Sequence, residues 1–227
     1  MPKRSTLELT HSVEDYLKAI YQLTEHGESA TTTGIAEVLN IAAPSVTGMV
    51  KRLTEAGLLK HLPYKGVTLT GDGRRAALRM LRRHRLIEAY LVQCLGYTWD
   101  NVHDEAERLE HAVSEDLIER MSRALGDPHF DPHGDPIPTA DGFIADVTTL
   151  TLPEVAVGET VTISRVESSS AERLRWLADA DLVPGAEITV LEHQPFLGPI
   201  TLRLGAERRI IGHDLALQLH CARERNP

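Results

Sequence analysis

Four side chains between His103 and His111 could together hold a cation. On a helix advancing about 100° per residue, Glu107 falls about 40° from His103, Glu110 near ~340° and His111 near ~80°. All four share an arc of about 100°, the width of one helix face. Ala106, Leu109, Val113 and Leu117 occupy the neighbouring arc, so the donors border a buried face instead of lying opposite it. The earlier segment RRHRLIE supplies His84 and Glu88 at i,i+4, a spacing at which imidazole and carboxylate can chelate one ion from a single helix. Two antiparallel helices could bring His84, Glu88 and His103 to one ion, leaving Glu107, Glu110 and His111 for a second. One His–Glu pair of this kind is ordinarily a surface ion pair. Its repetition on consecutive helical segments beside an apolar seam sets a metal site level with a solvated ion-pair face on spacing alone. Oxygen and nitrogen donors without sulfur suit Mn²⁺ or Fe²⁺ better than Cu(I) and argue against a thiolate zinc site; Co²⁺, Ni²⁺ and Zn²⁺ are expected to bind in vitro as well. HExxH and recognisable nucleophile motifs are absent, so a metalloenzyme or a metal-storage protein is kept only as a different-class alternative.

These residues need elements to carry them. SVEDYLKAIYQLT, residues 12–24, reads as a helix with Ser12 as N-cap and Val13, Leu17, Ile20 and Leu23 inward. A loop at 25–29 precedes a short helix in TTTGIAEVLNI, with Ile35, Val38 and Leu39 inward. A break at residues 42–44 leads to a third helix, SVTGMVKRLTEAGLL, with Gly57 at its C-terminal end. In KHLPYKGVTLTGDG a turn at 63–66 separates two alternating segments, a small hairpin. A long helix is predicted from Arg74 to about Cys94, and another over residues 98–125 with Asp100 as N-cap. GDPHFDPHGDPIP is a proline-rich, well-fixed loop, in which His129 and His133 read as structural. The remainder alternates at period 2 around one helical segment, AERLRWLADAD, and predicts a terminal β-rich domain of about five strands.

Two short helices joined by a tight turn and followed by a hairpin have the order of a winged helix-turn-helix. Ser45, Thr47, Gly48, Lys51 and Arg52 form the outward face of the second helix, small or hydroxylated at its start and basic one turn later. Small hydroxyls allow close approach to base edges, and the cations neutralise phosphates. Thr32 and Thr33 at the start of the preceding helix, Pro44, and Lys60, Tyr64 and Lys65 of the hairpin complete the candidate surface for duplex DNA.

Charge is distributed by segment. Through Arg75 there are 9 Lys+Arg against 8 Asp+Glu; residues 76–140 hold 7 against 12, and 141–227 hold 8 against 13. The first third is therefore near neutral and the rest acidic, which points to modules with different partners. The 227 residues suffice for two or three domains. Cys94 and Cys221 lie far apart without a CxxC, so neither a disulfide framework nor a cysteine zinc site is expected. No apolar run is long enough to span a membrane, and MPKRSTLELTHS lacks the apolar core of a leader, so the expected location is cytoplasmic.

Together, VEDYLKAIYQL, the helix-turn-helix, RRHRLIE, VHDEAERLEHAVSED and DPHGDPIP resemble the diphtheria-toxin-repressor family of metal-dependent transcriptional regulators, specifically through about Pro138. Residues 150–227 resemble the SH3-like, ferrous-iron-transport A type domain that some members carry. The resemblance implies a mainly α protein with a winged helix-turn-helix and a helical dimerisation domain, followed by a small β-rich SH3-like barrel. The corresponding boundaries are 1–73, 74–140, a linker at 141–152, and 153–227. It also implies a homodimer on palindromic double-stranded operator DNA, with metal binding favouring the DNA-competent arrangement. The family's primary ligands map to Asp15, Glu107, Glu110 and His111, and its ancillary ligands to His84, Glu88 and His103, with Glu167 and Glu172 as further ancillary candidates. Iron-sensing members carry methionine at the position of Asp15 and cysteine at that of Glu107, whereas manganese-sensing members carry Asp and Glu. The sequence thus resembles the manganese branch, with an Fe²⁺ regulator as the alternative. Lys18 stands where some manganese regulators have a glutamate, which speaks against a two-ion cluster of their type.

Overall fold

The computed structural model describes residues 10–25, 27, 29–145, 147–168 and 170–223. The expected absence of a leader concerns residues 1–9, which lie outside that range, as do positions 26 and 28 of the first loop. The chain divides into two compact units: up to His84 with Pro138–Ile144, and Arg85–Ile137 with the chain from Ala145 onward.

The first unit opens with α1 (His11–Thr24), α2 (Thr32–Val38) and α3 (Ala43–Glu55), followed by β1 (Leu59–Leu62) and β2 (Gly66–Leu69). Its core is built from Val13, Leu17, Ile20 and Tyr21 of α1, Ile35 of α2, Val46 and Leu53 of α3, and Leu59 and Val67 of the hairpin. The predicted helix-turn-helix and hairpin are both present. α1 begins one residue earlier than expected: Thr10, not Ser12, precedes it, and no side chain caps it. Thr31 does cap α2, accepting from Gly34 N at 3.0 Å. Val38, expected inward, is exposed, because a helix of two turns aims only Ile35 and Ala36 at the core. Gly57 follows α3 at φ +77, the left-handed conformation that ends a helix.

The hairpin is antiparallel, pairing Leu59 with Leu69 and Leu62 with Gly66. It is anchored near its turn, along the start of β2. Ala30 and Val67 exchange both backbone hydrogen bonds at 2.9 Å, and Ser29 Oγ donates to Lys65 O at 2.6 Å. Gly66, at φ +113, lies so close to Ala30 that a Cβ would overlap its carbonyl oxygen, so only glycine fits.

α4 (Gly71–Leu95) starts three residues before the predicted Arg74 and runs through the division between units. In the second unit the predicted helix over 98–125 is two helices, α5 (Val102–Leu109) and α6 (Glu115–Ala124). The break has a local cause: Ser114 Oγ accepts from Leu117 N at 3.3 Å, and Glu115 and Asp116 fill the first turn that follows, where the helix dipole favours negative charge. Asp100 is not the cap of α5. Asn101 precedes that helix and its Oδ1 accepts from Thr98 N at 3.1 Å. Leu117, expected inward, is 40% exposed because the change of axis rotates α6 off the single wheel.

The C-terminal part is a small antiparallel β-domain of six strands: β3 (Leu150–Thr151), β4 (Thr160–Val166), β5 (Glu187–His193), β6 (Ile200–Leu204), β7 (Glu207–Ile211) and β8 (Leu219–Ala222). Their order is β3-β8-β4-β5-β6-β7. α7 (Ala171–Asp179) contributes Leu174 and Leu177 to the core beneath the sheet. RRIIGHDLALQLH, in the remainder expected to alternate around a single helical segment, is β7, a helical turn α8 (His213–Ala216) and β8. No helix among the described residues is long and apolar enough to cross a membrane.

Candidate functional site

Asp15 lies on α1 in the first unit, partly buried, and Lys18 one turn later is buried. Its neighbour Glu14 faces Arg83 Nη1 at 3.7 Å. His84 sits on α4, buried, one turn before Glu88.

The second unit gathers most of the remaining donors. Glu88, 2% exposed, turns Oε1 to His103 Nδ1 at 3.2 Å. His103 Nε2 lies 3.8 Å from Glu107 Oε1, so α5 offers this pair at i,i+4 as the wheel predicts. Glu110 and His111 are a different case. α5 ends at Leu109; Glu110 caps it in helical conformation, its N–H still donating to Ala106 O at 2.9 Å, and His111 falls in the turn before α6, so the one helix face expected for all four donors ends at Glu110. The turn still places them side by side, His111 Nε2 3.7 Å from Glu110 Oε1, with Glu110 fully buried. A buried carboxylate loses its hydration and gains most from a cation nearby.

Sequence reasoning set His133 aside as structural and passed over Asp131. The structure brings both to Glu88: one donor atom from each of Glu88, Asp131 and His133 lies within 4.8 Å of the others, and all three residues are buried. His133 Nε2 donates to the Trp99 carbonyl at 2.7 Å, which turns Nδ1 towards Glu88 Oε2, 3.9 Å away. Asp131 Oδ1 accepts from the backbone N–H groups of His133 (2.8 Å) and Asp135 (3.0 Å). Burial pushes the Asp131 carboxyl up to about 8; the charges of Asp135 and Glu88 add to the rise, and Arg85 opposes it. The sequence signal was the run DPHGD, which puts Asp and His two apart in a fixed loop.

Glu167 and Glu172 are placed otherwise. The Glu167 carboxylate meets Arg165 Nη2 at 3.2 Å and the His220 ring at 2.9 Å. Glu172 is exposed in the first turn of α7. Among the described residues, neither joins a group of three metal-capable side chains. His129, also read as structural, is exposed.

On the first unit Thr32, Thr33, Pro44, Ser45, Thr47, Gly48, Lys51, Arg52, Lys60, Tyr64 and Lys65 all face solvent. Pro44 falls in the first turn of α3, where its missing N–H costs nothing. Thr32, Thr47 and Lys51 border one groove of about 360 Å³ between the helix pair and the hairpin, with His61, which the sequence reading missed, on its far wall. Lys51 lies 4.0 Å from Glu55 in an exposed i,i+4 pair, an interaction that solvent leaves weak enough for Lys51 to exchange partners. Tyr64 stands fully exposed at the hairpin tip with φ +62.

These features can be compared with known proteins. The N-terminal DNA binding domain of iron dependent repressors matches residues 8–67, their metal binding and dimerisation domain matches 70–139, and the FeoA domain matches 150–223. The iron-dependent repressor IdeR of Mycobacterium tuberculosis is 33% identical over 224 residues, covering 92% of this chain and 96% of that protein. The diphtheria toxin repressor of Corynebacterium diphtheriae is 30% identical over 219 residues, with the same coverage of 92% and 96%. A manganese-dependent transcriptional repressor solved in complex with manganese superposes with a TM-score of 0.85 at 38% identity, covering 92% of this chain and 99% of that one. Helix-turn-helix, the helices of residues 70–139 and the terminal β-domain thus agree in order and extent with one family, and the chain belongs to the iron-dependent, or diphtheria-toxin, repressor family of metal-dependent, DNA-binding transcriptional repressors.

Proposed function

We propose that the protein is a Mn²⁺-dependent repressor of manganese-uptake genes that binds palindromic operator DNA as a homodimer. The observation that carries the choice of ion is the donor chemistry. Asp15 and Glu107 supply oxygen where iron-sensing members of the family have sulfur, and replacing soft donors by hard ones favours Mn²⁺. Asp15, Glu107, Glu110 and His111 form the primary ligand set in this reading; His84, Glu88 and His103 form the ancillary set, which Asp131 and His133 extend. The relative named for iron, IdeR, keeps an Fe²⁺ regulator as the alternative, and the manganese-bound repressor supports the first reading.

A bound divalent ion supplies positive charge that ties carboxylates of separate segments together. The chain's own residues do the rest. Asp15 belongs to α1, which packs against α2 and β2 of the first unit, while Glu107, Glu110 and His111 belong to α5 and the turn after it. Ligation by both therefore favours one placement of the reading head. At 100-fold excess over its dissociation constant an ion stabilises that placement by about 2.7 kcal/mol. Two-fold symmetry then calls for half-sites about one helical turn apart, or a multiple of it. Thr47 and Ser45 would approach base edges, and Lys51, Arg52 and Lys65 phosphates.

The test is operator binding titrated anaerobically with Mn²⁺ and with Fe²⁺, for the native chain and for Asp15→Ala. Binding promoted by Mn²⁺ in the native chain and lost in Asp15→Ala is the expected result. Binding indifferent to metal in both proteins would overturn the reading, and promotion by Fe²⁺ alone would replace it with the alternative.

A further inference from the structure

The loop from Asp131 to Pro136 does more than close the chain between α6 and the β-domain. Its backbone presses onto β4: Val166 N donates to His133 O at 2.9 Å, and Gly134, at φ +87, sits where any Cβ would overlap the Ser164 carbonyl oxygen. Beside this approach two guanidinium groups share one carboxylate oxygen. Asp135 Oδ1 accepts from Arg85 Nη2 of α4 at 3.2 Å and from Arg165 Nη1 of β4 at 3.3 Å. Arg85 also donates to Pro136 O at 2.6 Å and faces Asp131 Oδ2 at 3.6 Å. Arg165 is braced from behind by Glu167 at 3.2 Å, whose carboxylate also accepts from the His220 ring of β8 at 2.9 Å. Finally, the Trp99 indole, which packs against the β-domain core, stacks on the His133 imidazole at 5.8 Å between centroids.

We infer that residues 131–136 form a latch by which the β-domain docks on the helix bearing Glu88, and that Arg165 is a positioning residue for the Asp131 and His133 donors. Arg165 touches no donor atom itself. It acts through Asp135: the shared carboxylate fixes the loop whose own backbone N–H groups aim the Asp131 carboxylate. Part-buried, charge-assisted and multiply braced, the Arg85–Asp135–Arg165 chain is far stronger than an exposed ion pair. The two sides are linked. Whatever orders the loop from the ligand side favours docking, and docking preorganises the donors. The donor role of Asp131 and His133 rests on the reading under Proposed function; the latch itself does not.

Amide hydrogen exchange on the full chain separates the two. In metal-free protein, Arg165→Gln should speed exchange across 131–136 and at Val166 about tenfold, as for loss of one charge-assisted hydrogen bond. Arg165→Lys, which keeps the charge but not the fork, should fall between. Asp135→Asn should match Arg165→Gln, and the double variant should be no faster than either single one. Unchanged exchange in Arg165→Gln, or additive effects in the double variant, would overturn the latch. In a second arm, Mn²⁺ should slow exchange across 131–136 in the native chain and do so at higher concentration in Arg165→Gln. Equal Mn²⁺ protection in both proteins would refute the positioning role. No protection in the native chain, with the metal-free differences intact, would support the latch and remove the ligand reading instead.

Discussion

Asp131 concentrates the electrostatics of the second unit in one carboxyl group. Its burial and the neighbouring Asp135 and Glu88 charges raise its pKa from the ordinary 3.8 to about 8. The folded chain therefore holds a proton that the unfolded chain releases between those values. Stability of the metal-free protein should accordingly fall as pH rises through that window, and not increase. Urea unfolding at several pH values checks this, and Asp131→Asn, which keeps the acceptor for His133 N and Asp135 N, should flatten the slope. Cys221 makes a second residue-scale prediction. Burial pushes its thiol up to about 12, so in the folded protein it should stay unreactive to a thiolate-specific reagent at pH 8 and react only on unfolding.

The helices and turns carry their own tests. Gly73 lies in the first turn of α4, where exchanging glycine for alanine ordinarily adds up to about 1 kcal/mol of helix stability. Here the result should be opposite in sign, because a Cβ at Gly73 would overlap the Leu58 carbonyl oxygen, a backbone atom that cannot swing aside. Denaturant unfolding of Gly73→Ala should show a loss. Ser114→Ala removes the cap that separates α5 from α6 and should cost about 1 kcal/mol. Because that cap sets the turn holding Glu110 and His111, the same variant should also weaken Mn²⁺ binding, measurable by calorimetry. A longer, straighter α5–α6 with unaltered metal affinity would contradict the assignment of this turn as ligand-bearing.

Across the whole molecule, an overall charge of −9 coexists with exposed Lys51, Arg52 and Lys65 on the helix-turn-helix and hairpin. Specific operator binding should therefore fall steeply with salt, with a log–log slope of about −0.9 for each phosphate neutralised. Lys51→Ala should reduce that slope by about 1 per subunit while leaving sequence preference intact. A slope unchanged by the substitution would remove Lys51 from the phosphate contacts.

Much of this organisation is legible along the chain because its physics is local. Period-3.6 stripes at 12–24 and 74–94, the turn at 63–66 and the alternating C-terminal segments each depend on neighbours a few residues away, and His84 with Glu88, or His103 with Glu107, needs only the pitch of one helix. The break at Ser114 was harder to see, since residues on both sides keep a helical rhythm and one cap decides between a continuous helix and two. What no local rule contains is the meeting of Glu88, Asp131 and His133, or of Arg85, Asp135 and Arg165. These residues come from a helix, a loop and a strand far apart in sequence, and their apposition depends on how close two backbones pass at Gly134 and Ser164. The amino-acid sequence by itself determined most of the elements, the donor types and a set of small, hydroxylated and basic side chains on the helix-turn-helix that face solvent. Only the tertiary structure decided which donors are buried together, because burial and long-range proximity are properties of packing, not of spacing.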